Sequence, residues 1–562
     1  MRLRSNPITL VILSMFLLTA LNTPAQDSEL EPEREIRGKT HSAVERMSDA
    51  VPAANFVVNN NGDATDSTPG DMICETAGGN GVCTLRAAVV EANALAGDDI
   101  ITFAPSVSSI SVNGQIAITS NLTINGPGPA ALTIRNIAPL STTSRVFNIT
   151  NFVVNLSGMT ITDGNITGSG GAINNTGTLT IVNCVITGNR VNGASGIGGG
   201  IRSTNTLTVM NSVISGNAST ASTSGGISFA GANFTLSKST ISGNTSSGNG
   251  GGMNISATVS ATITNSTISG NTAGASSGGM FTNRGTLINT TISGNTASGA
   301  LATDGGGGLR IQAGVNSVSI TSCTITGNTA PNSTSGARSG LWHETGTVTI
   351  TNSIVAANVA QDIQRDGTGV ITSGGFNLIG ENTSVTTEFP DGLPNGTNYV
   401  GTDAMPLDPM IGPLEYNGGP TFTHALLASS VAIDKGNSSG SMVDQRNYFR
   451  PIDLGGIPNA PGGDGADIGS FEFQSTPSVV VSISGRVTDA GGRGLAKAIV
   501  VLTDAGGNSR FALTSSFGYY RFDDIGAGES YEVSVARKGY QFTSQTVFAG
   551  GDITDLDFIA EP

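Results

Sequence analysis

Four side chains carry the most chemistry for their position: Phe281, Arg310, Trp342 and Glu344. The first three each follow a glycine cluster (SGGMF, GGGLR, RSGLW), and Glu344 lies two residues past the only tryptophan. Aromatic faces beside a guanidinium and a carboxylate suit the binding of sugars, which offer both apolar ring faces and hydroxyls. The plainer reading is that such residues fill gaps at a solvent edge, because exposed aromatics are informative only as a patch. Glycosidic hydrolysis asks for paired carboxylates. Between positions 165 and 370 the acids are Asp304, Glu344, Asp362 and Asp366, and no two fall in one repeat column.

Other groups are thinner. Asp63, Asp66 and Asp71 cluster in NNNGDATDSTPGD, which offers oxygen ligands for a hard cation such as Ca2+ without the EF-hand spacing, and a solvated loop accounts for them equally well. Asp464 and Asp467 repeat that idea more weakly. His343 and His424 stand alone and read as structural. No cofactor motif is present. Cys74 and Cys83 flank a Gly-rich loop at disulfide spacing. Cys184 and Cys323 share one repeat column five steps apart, roughly 24 Å at about 4.8 Å per step, and so read as buried free thiols in place of serine.

What must position these residues is a repeat. NCVITGN (183–189), NSVISGN (211–217), KSTISGN (238–244), NSTISGN (265–271), NTTISGN (289–295), SCTITGN (322–328) and NSIVAAN (352–358) end on asparagines spaced 28, 27, 27, 24, 33 and 30 residues apart. Three residues before each stands Ile186, Ile214, Ile241, Ile268, Ile292, Ile325 or Val355; eight before stands another aliphatic, and nine before a Thr or Ser. Neighbouring columns of opposite character mark strands with one buried face. A third apolar column follows the glycine clusters, from Ile173 to Leu341. Three strands per period, stacked about 4.8 Å apart, predict a parallel β-helix. The column just outside it runs Asn174, Arg202, Ser228, Asn254, Phe281, Arg310, Trp342. The Asn of each turn tolerates left-handed backbone or bonds its counterpart in the next coil, and the Gly before it relieves strain. The phrase NSTISGN holds no acid or base and is scaffold.

The chain has 562 residues, 78 of them Gly, with 26 Lys+Arg against 41 Asp+Glu, a net charge of −15. That balance, without a basic block, excludes nucleic acid as a partner. It also disfavours polyuronates unless calcium or a local basic groove intervenes. Arg2 and Arg4 precede an apolar run from Ile8 to Leu21 and a Thr23-Pro24-Ala25 cleavage site, so residues 1–25 read as a secretion signal. Residues 26–52 read as a charged linker, and no later run is long enough to span a membrane. Thr84 to Leu95 is the one amphipathic helix, placed to cap the open N-terminal end of the coils.

Cys83-Thr84-Leu85-Arg86-Ala87-Ala88 with Glu91-Ala92-Asn93 resembles the segment that names CSLREA-domain proteins, departing from it at Thr84 and Ala87. Asn417-Gly418-Gly419-Pro420-Thr421, His424-Ala425-Leu426, Ala432-Ile433-Asp434, Asp444-Gln445-Arg446, Arg450-Pro451 and Asp467 to Glu472 resemble the choice-of-anchor Q region of secreted bacterial β-helix proteins. The resemblance implies a right-handed, pectin-lyase-like β-helix and brings no settled activity. Beyond Pro477, Ile483 to Asp489 and Gly518-Tyr519-Tyr520-Arg521-Phe522 resemble a carboxypeptidase-regulatory-like domain, a small Ig-type β-sandwich.

The expected chain is therefore all-β: an N-terminal cap (53–99), parallel β-helix repeats (100–380), a C-terminal cap (381–475) and a sandwich (479–562). The expected role is secreted or surface-attached, non-catalytic and adhesin-like, with a polysaccharide or cell-surface glycan as partner. The alternative is a polysaccharide lyase or glycoside hydrolase of the same fold, with Arg310 as base or charge clamp.

Overall fold

The computed structural model describes residues 53–561 apart from 139–143, 259, 302–303, 333–337, 475–479, 505–508 and 528. The export signal and the linker expected at 1–52 lie outside the described residues.

Alternation of period two turns each repeat into a coil of short strands. One coil holds Ile227–Phe229, Asn233–Ser237, Thr240–Ser242 and Thr245–Ser246. Its successor pairs with it in parallel and in register, Ile227 on Met253, Leu236 on Ile263, Ile241 on Ile268 and Thr245 on Thr272. The parallel β-helix is thus as the repeat columns predict, with one addition. A fourth strand of two residues follows the Gly-Asn turn in the central coils, too short to leave a periodic signal. All three apolar columns point inward and are fully buried. Each such side chain contributes about 1.5–3 kcal/mol relative to exposure.

The turn chemistry differs in detail from expectation. The left-handed residues are the first of each phrase, such as Asn211 (φ 46°) and Asn265 (φ 49°), and the Gly before the last Asn, such as Gly270 (φ 62°). The last Asn instead points inward and bonds its counterpart. Asn189, Asn217, Asn244, Asn271, Asn295 and Asn328 each donate Nδ2 to Oδ1 of the next coil's Asn at 2.9–3.0 Å. Asn358 donates to Asp362 Oδ1 at 2.8 Å. A second ladder uses the hydroxyls two residues into the phrase: Ser212, Ser239 and Ser266 each donate to the carbonyl two residues back at 2.7 Å. Cys184 and Cys323 take the same place, their Sγ donating to Val182 O and Thr321 O at 3.4 and 3.3 Å. Both are free and buried, and burial raises their thiols to about 11 and about 12.

At the N-terminal end a helix spans Leu85–Ala94, with the Thr84 hydroxyl accepting from Ala87 N at 3.1 Å. Leu85, Ala88, Val89 and Ala92 pack into the core of the first coils. Glu91, buried beneath the preceding loop, accepts from Gly70 N and Met72 N at 2.6 and 2.5 Å. Cys74 and Cys83 form a disulfide with Cα atoms 5.2 Å apart.

The C-terminal segment divides in two. Val385, Phe389 and Val400 join the interior core at the last coils. Residues 410–473 instead lie along the flank, over the outward hydroxyls of 265–355. Thr291 Oγ1 donates to Gln445 Oε1 at 2.7 Å, Gln445 Nε2 donates to Thr267 Oγ1 at 2.9 Å, and Ser293 Oγ meets His424 Nε2 at 2.7 Å. Arg450 pairs with Glu472, and Arg446 with Asp444, both at 2.7 Å and buried. The motif residues of this region thus hold it to the coils.

The last strands, Val480–Thr488 to Phe558–Ile559, form a three-stranded and a four-stranded sheet around their own core of Ile483, Val500, Tyr520, Phe522, Val533 and Phe558. Gly518 (φ 87°) lies so close to Val487 O that a Cβ would fall 2.3 Å from it, which places glycine there. Tyr520 and Phe522 then alternate inward, their rings edge to face at 5.9 Å.

Candidate functional site

Parallel register carries the outward column across the coils without a break. Asn148, Asn174, Arg202, Ser228, Asn254, Phe281, Arg310, Trp342 and Gln364 are successive partners. They form a row on the broad sheet at about 4.8 Å per step.

Three of the residues singled out by sequence are consecutive members of this row, and Glu344, two residues past Trp342, reaches it through Arg310. Arg310 Nε contacts Glu344 Oε1 at 2.5 Å, while Glu344 Oε2 accepts from Gln312 Nε2 at 3.1 Å. The Arg310 guanidinium lies 5.9 Å from the Phe281 ring centroid and 4.2 Å from that of Trp342. Trp342 is only 3% exposed. Arg338 also covers its ring at 4.3 Å, and its Nε1 donates to Asp366 Oδ2 at 3.0 Å. Asp366 pairs with Arg338 at 2.5 Å and accepts from Gln364 Nε2 at 2.7 Å. Gly305 and Gly306, with φ of 144° and 71°, let these arginines lie close, since a Cβ on either would come within 3 Å of Arg338 or Arg310.

The tryptophan is therefore a buried plate under two guanidiniums. Phe281, Arg310 and Glu344 form the reachable surface above it, half-buried. Sequence reasoning missed Arg338, Asp366, Gln312 and Gln364. Gln364 continues the row but stands in a coil without a glycine pair, so the column was not followed that far.

The acidic loop is used piecemeal. Asp63 pairs with Arg86 at 2.9 Å and accepts from Asn113 N at 2.7 Å. Asp66 accepts from Thr68 N and Glu75 N, and Asp71 from Ile73 N. Asp464 and Asp467 likewise go separately to Ser438 and to Asp434 N. Among the described residues no group of three His, Cys, Asp or Glu converges to hold a metal ion. His343 is fully buried against Gly346 O at 3.1 Å, and burial pulls it below the ordinary histidine value. His424 is fixed between Ser293 and Gly412 O.

Asp362 is the most perturbed acid of the coils. Burial, and then the neighbouring Glu381, push its carboxyl up to about 7, opposed by the Asn358 bonds. It is 3% exposed and receives Asn358 N, Asn358 Nδ2 and Glu381 N, so its place is inside the ladder.

No helix among the described residues is long and apolar enough to cross a membrane. None of the curated proteins matches this chain. The crystal structure of pectate lyase Pel9A is similar over 75% of this chain and 98% of that one, at 13% identity and a TM-score of 0.40. Residues 482–561 match the family model of the carboxypeptidase regulatory-like domain, and that module follows the parallel β-helix in this chain.

Proposed function

We propose that this is an extracellular β-helix protein that holds a glycan or glycan-bearing surface along the outward row of its broad sheet, without cleaving it. The observation that carries the reading is the row itself. Amides, guanidiniums and a half-exposed phenylalanine recur in register along consecutive coils, matching an extended polymer better than a small molecule. Within it, Phe281 supplies the apolar face and Arg310 with Glu344 the polar contacts. Trp342 acts from below, as the plate that orients Arg310.

The non-catalytic part draws on the same geometry. A base needs a free lone pair at the substrate, whereas the Arg310 guanidinium is tied to Glu344 and stacked on Trp342. Export is supported by the charged and apolar pattern of residues 1–25 and by the Cys74–Cys83 disulfide, which persists in oxidising compartments. The CSLREA-like helix and the choice-of-anchor Q-like flank fit secreted β-helix proteins. The carboxypeptidase regulatory-like module serves as a non-catalytic appendage.

The test is a polysaccharide panel with the intact protein and its Phe281→Ala and Arg310→Ala variants. A polymer that binds the parent and is weakened about tenfold or more by either change supports the site. Binding untouched by both changes removes it.

A further inference from the structure

Earlier in the same row, two arginines meet without a counter-charge. Arg145 reaches it from three residues before Asn148, its Nη1 donating to Asn148 Oδ1 and to Gln115 Oε1, each at 3.0 Å. From two coils on, Arg202 reaches back and donates Nη1 to Asn174 Oδ1 at 3.0 Å. Asn174 Nδ2 in turn donates to Asn148 Oδ1 at 2.9 Å. The two guanidiniums thus close on one chain of amides from opposite ends.

Their setting differs from that of five other arginines of the coils and the capping helix. Arg86, Arg135, Arg310, Arg338 and Arg365 each meet a carboxylate at 2.9 Å or closer. Among the described residues no ion pair includes Arg145 or Arg202, and the neighbouring residues 139–143, Pro-Leu-Ser-Thr-Thr, hold no acid. The Nε of Arg145 is buried and has no hydrogen-bond partner among the described residues. Burial, and then repulsion from Arg202, lower the affinity of Arg145 for its proton. Those five arginines have carboxylate partners, whereas this half-buried pair, close enough for each to repel the other, has none among the described residues. A donor without an acceptor is unfavourable, and an acceptor from outside the chain, taken on the remaining N–H groups, would offset the repulsion of the pair.

We propose that Arg145 and Arg202 form a subsite for an oxyanion carried on a glycan, a carboxylate or a sulfate group, with Asn148 and Asn174 bonding the hydroxyls beside it. A planar guanidinium offers paired N–H donors that match such a group, and an anion between two of them turns their repulsion into attraction. A chain of net charge −15 repels polyanions at long range. The pair therefore acts at short range and decides where along the row the charged sugar sits. This inference rests on the glycan reading above and adds the charge of the ligand.

Three polymers of one backbone test it on the intact protein: dextran, carboxymethyl dextran and dextran sulfate. Both charged forms are expected to bind about tenfold or more tighter than dextran, the margin of one charge-assisted hydrogen bond. An Arg145→Gln/Arg202→Gln double variant, checked for an unchanged circular dichroism spectrum, is expected to erase that margin. Arg202→Lys, which keeps the charge but loses the fork, is expected to keep part of it. Equal binding of all three polymers, or a charged preference that survives the double variant, overturns the inference, and any panel polymer still bound through Phe281 leaves the glycan reading intact. If no polymer binds while inorganic sulfate raises the melting temperature of the parent but not of the double variant, the anion subsite stands and the glycan reading falls. If sulfate also has no effect, both fall.

Discussion

Asn358 donates its side-chain amide to Asp362 Oδ1 at 2.8 Å, and with that bond a run of amides begun at Asn189 ends on a carboxylate. Every side-chain amide in the run donates one hydrogen back to the preceding coil's Ile carbonyl and the other forward to the next acceptor of the run. The last one therefore needs a group that accepts, and Asp362, four residues away, supplies it. Its other oxygen takes Glu381 N at 2.9 Å, while Glu381 Oε1 takes Asp362 N at 2.9 Å. The repeat is thus closed by a reciprocal pair of acids rather than by another asparagine.

Breaking the run in the middle should be expensive. Asn271→Ala takes the acceptor from Asn244 N, one of two acceptors from Asn244 Nδ2 and a side-chain donor from Ile241 O, all buried. At about 1–3 kcal/mol per stranded group, a loss of about 3 kcal/mol or more is expected in urea unfolding. Ser269→Ala, at the outward end of the strand just before the turn, is expected to stay within about 0.5 kcal/mol. Equal losses would mean that the ladder adds nothing beyond local turn geometry.

Asp362 gives the fold a pH dependence of definite sign. Its carboxyl is raised to about 7 by burial, whereas in the unfolded chain an Asp ionises near about 3.9. Between those values the folded chain holds a proton that the unfolded chain has lost, so this group's contribution to stability falls as pH climbs from about 4 to about 7 and is level above. Asp362→Asn removes that titration. The melting temperature of the parent minus that of the variant should shrink across this window, and a difference independent of pH would refute the assignment.

The thiols should be silent in the folded protein. Burial raises Cys184 to about 11 and Cys323 to about 12, and the thiolate is the reactive form. A thiol reagent at neutral pH should find none in the native protein and two on denaturation without reductant. Because serine holds the same column in other coils, Cys323→Ser should cost about 1 kcal/mol or less. Rapid native labelling would contradict the ladder placement.

Trp342 makes a built-in reporter, being the only tryptophan. Buried beneath Arg310 and Arg338, it should emit at short wavelength and resist acrylamide quenching. Arg310→Ala uncovers one part of the ring and should raise the quenching constant toward the value in urea. Free quenching in the parent would show that the ring is open to solvent.

Much of this architecture is legible in the sequence because stacking forces like residues into columns. Ile186 predicts Ile214 and Ile241, and the outward row follows from the same register. The helix at 85–94 and the Cys74–Cys83 bridge are local features and could be read directly. What escaped is long-range or aperiodic. Gln445 meets Thr267 and Thr291 across more than 150 residues, a contact without a spacing to betray it. Asp362 ends the ladder four residues after Asn358, where a full period would be sought. Of the candidate site, the grouping of Phe281, Arg310, Trp342 and Glu344 was visible, but the burial of Trp342 was not, since it depends on Arg338 of its own strand and Asp366 of the next coil folding over it.

The central claim is that the outward row holds a polymer and leaves it whole. The most direct measurement incubates the intact protein with each polysaccharide it retains and follows binding, through Trp342 emission, and chain length in one sample. The account predicts a saturable shift in emission, lost in Phe281→Ala, with the polymer's length distribution unchanged over prolonged incubation. Progressive shortening of a bound polymer by the parent protein, abolished by Arg310→Ala, would contradict it.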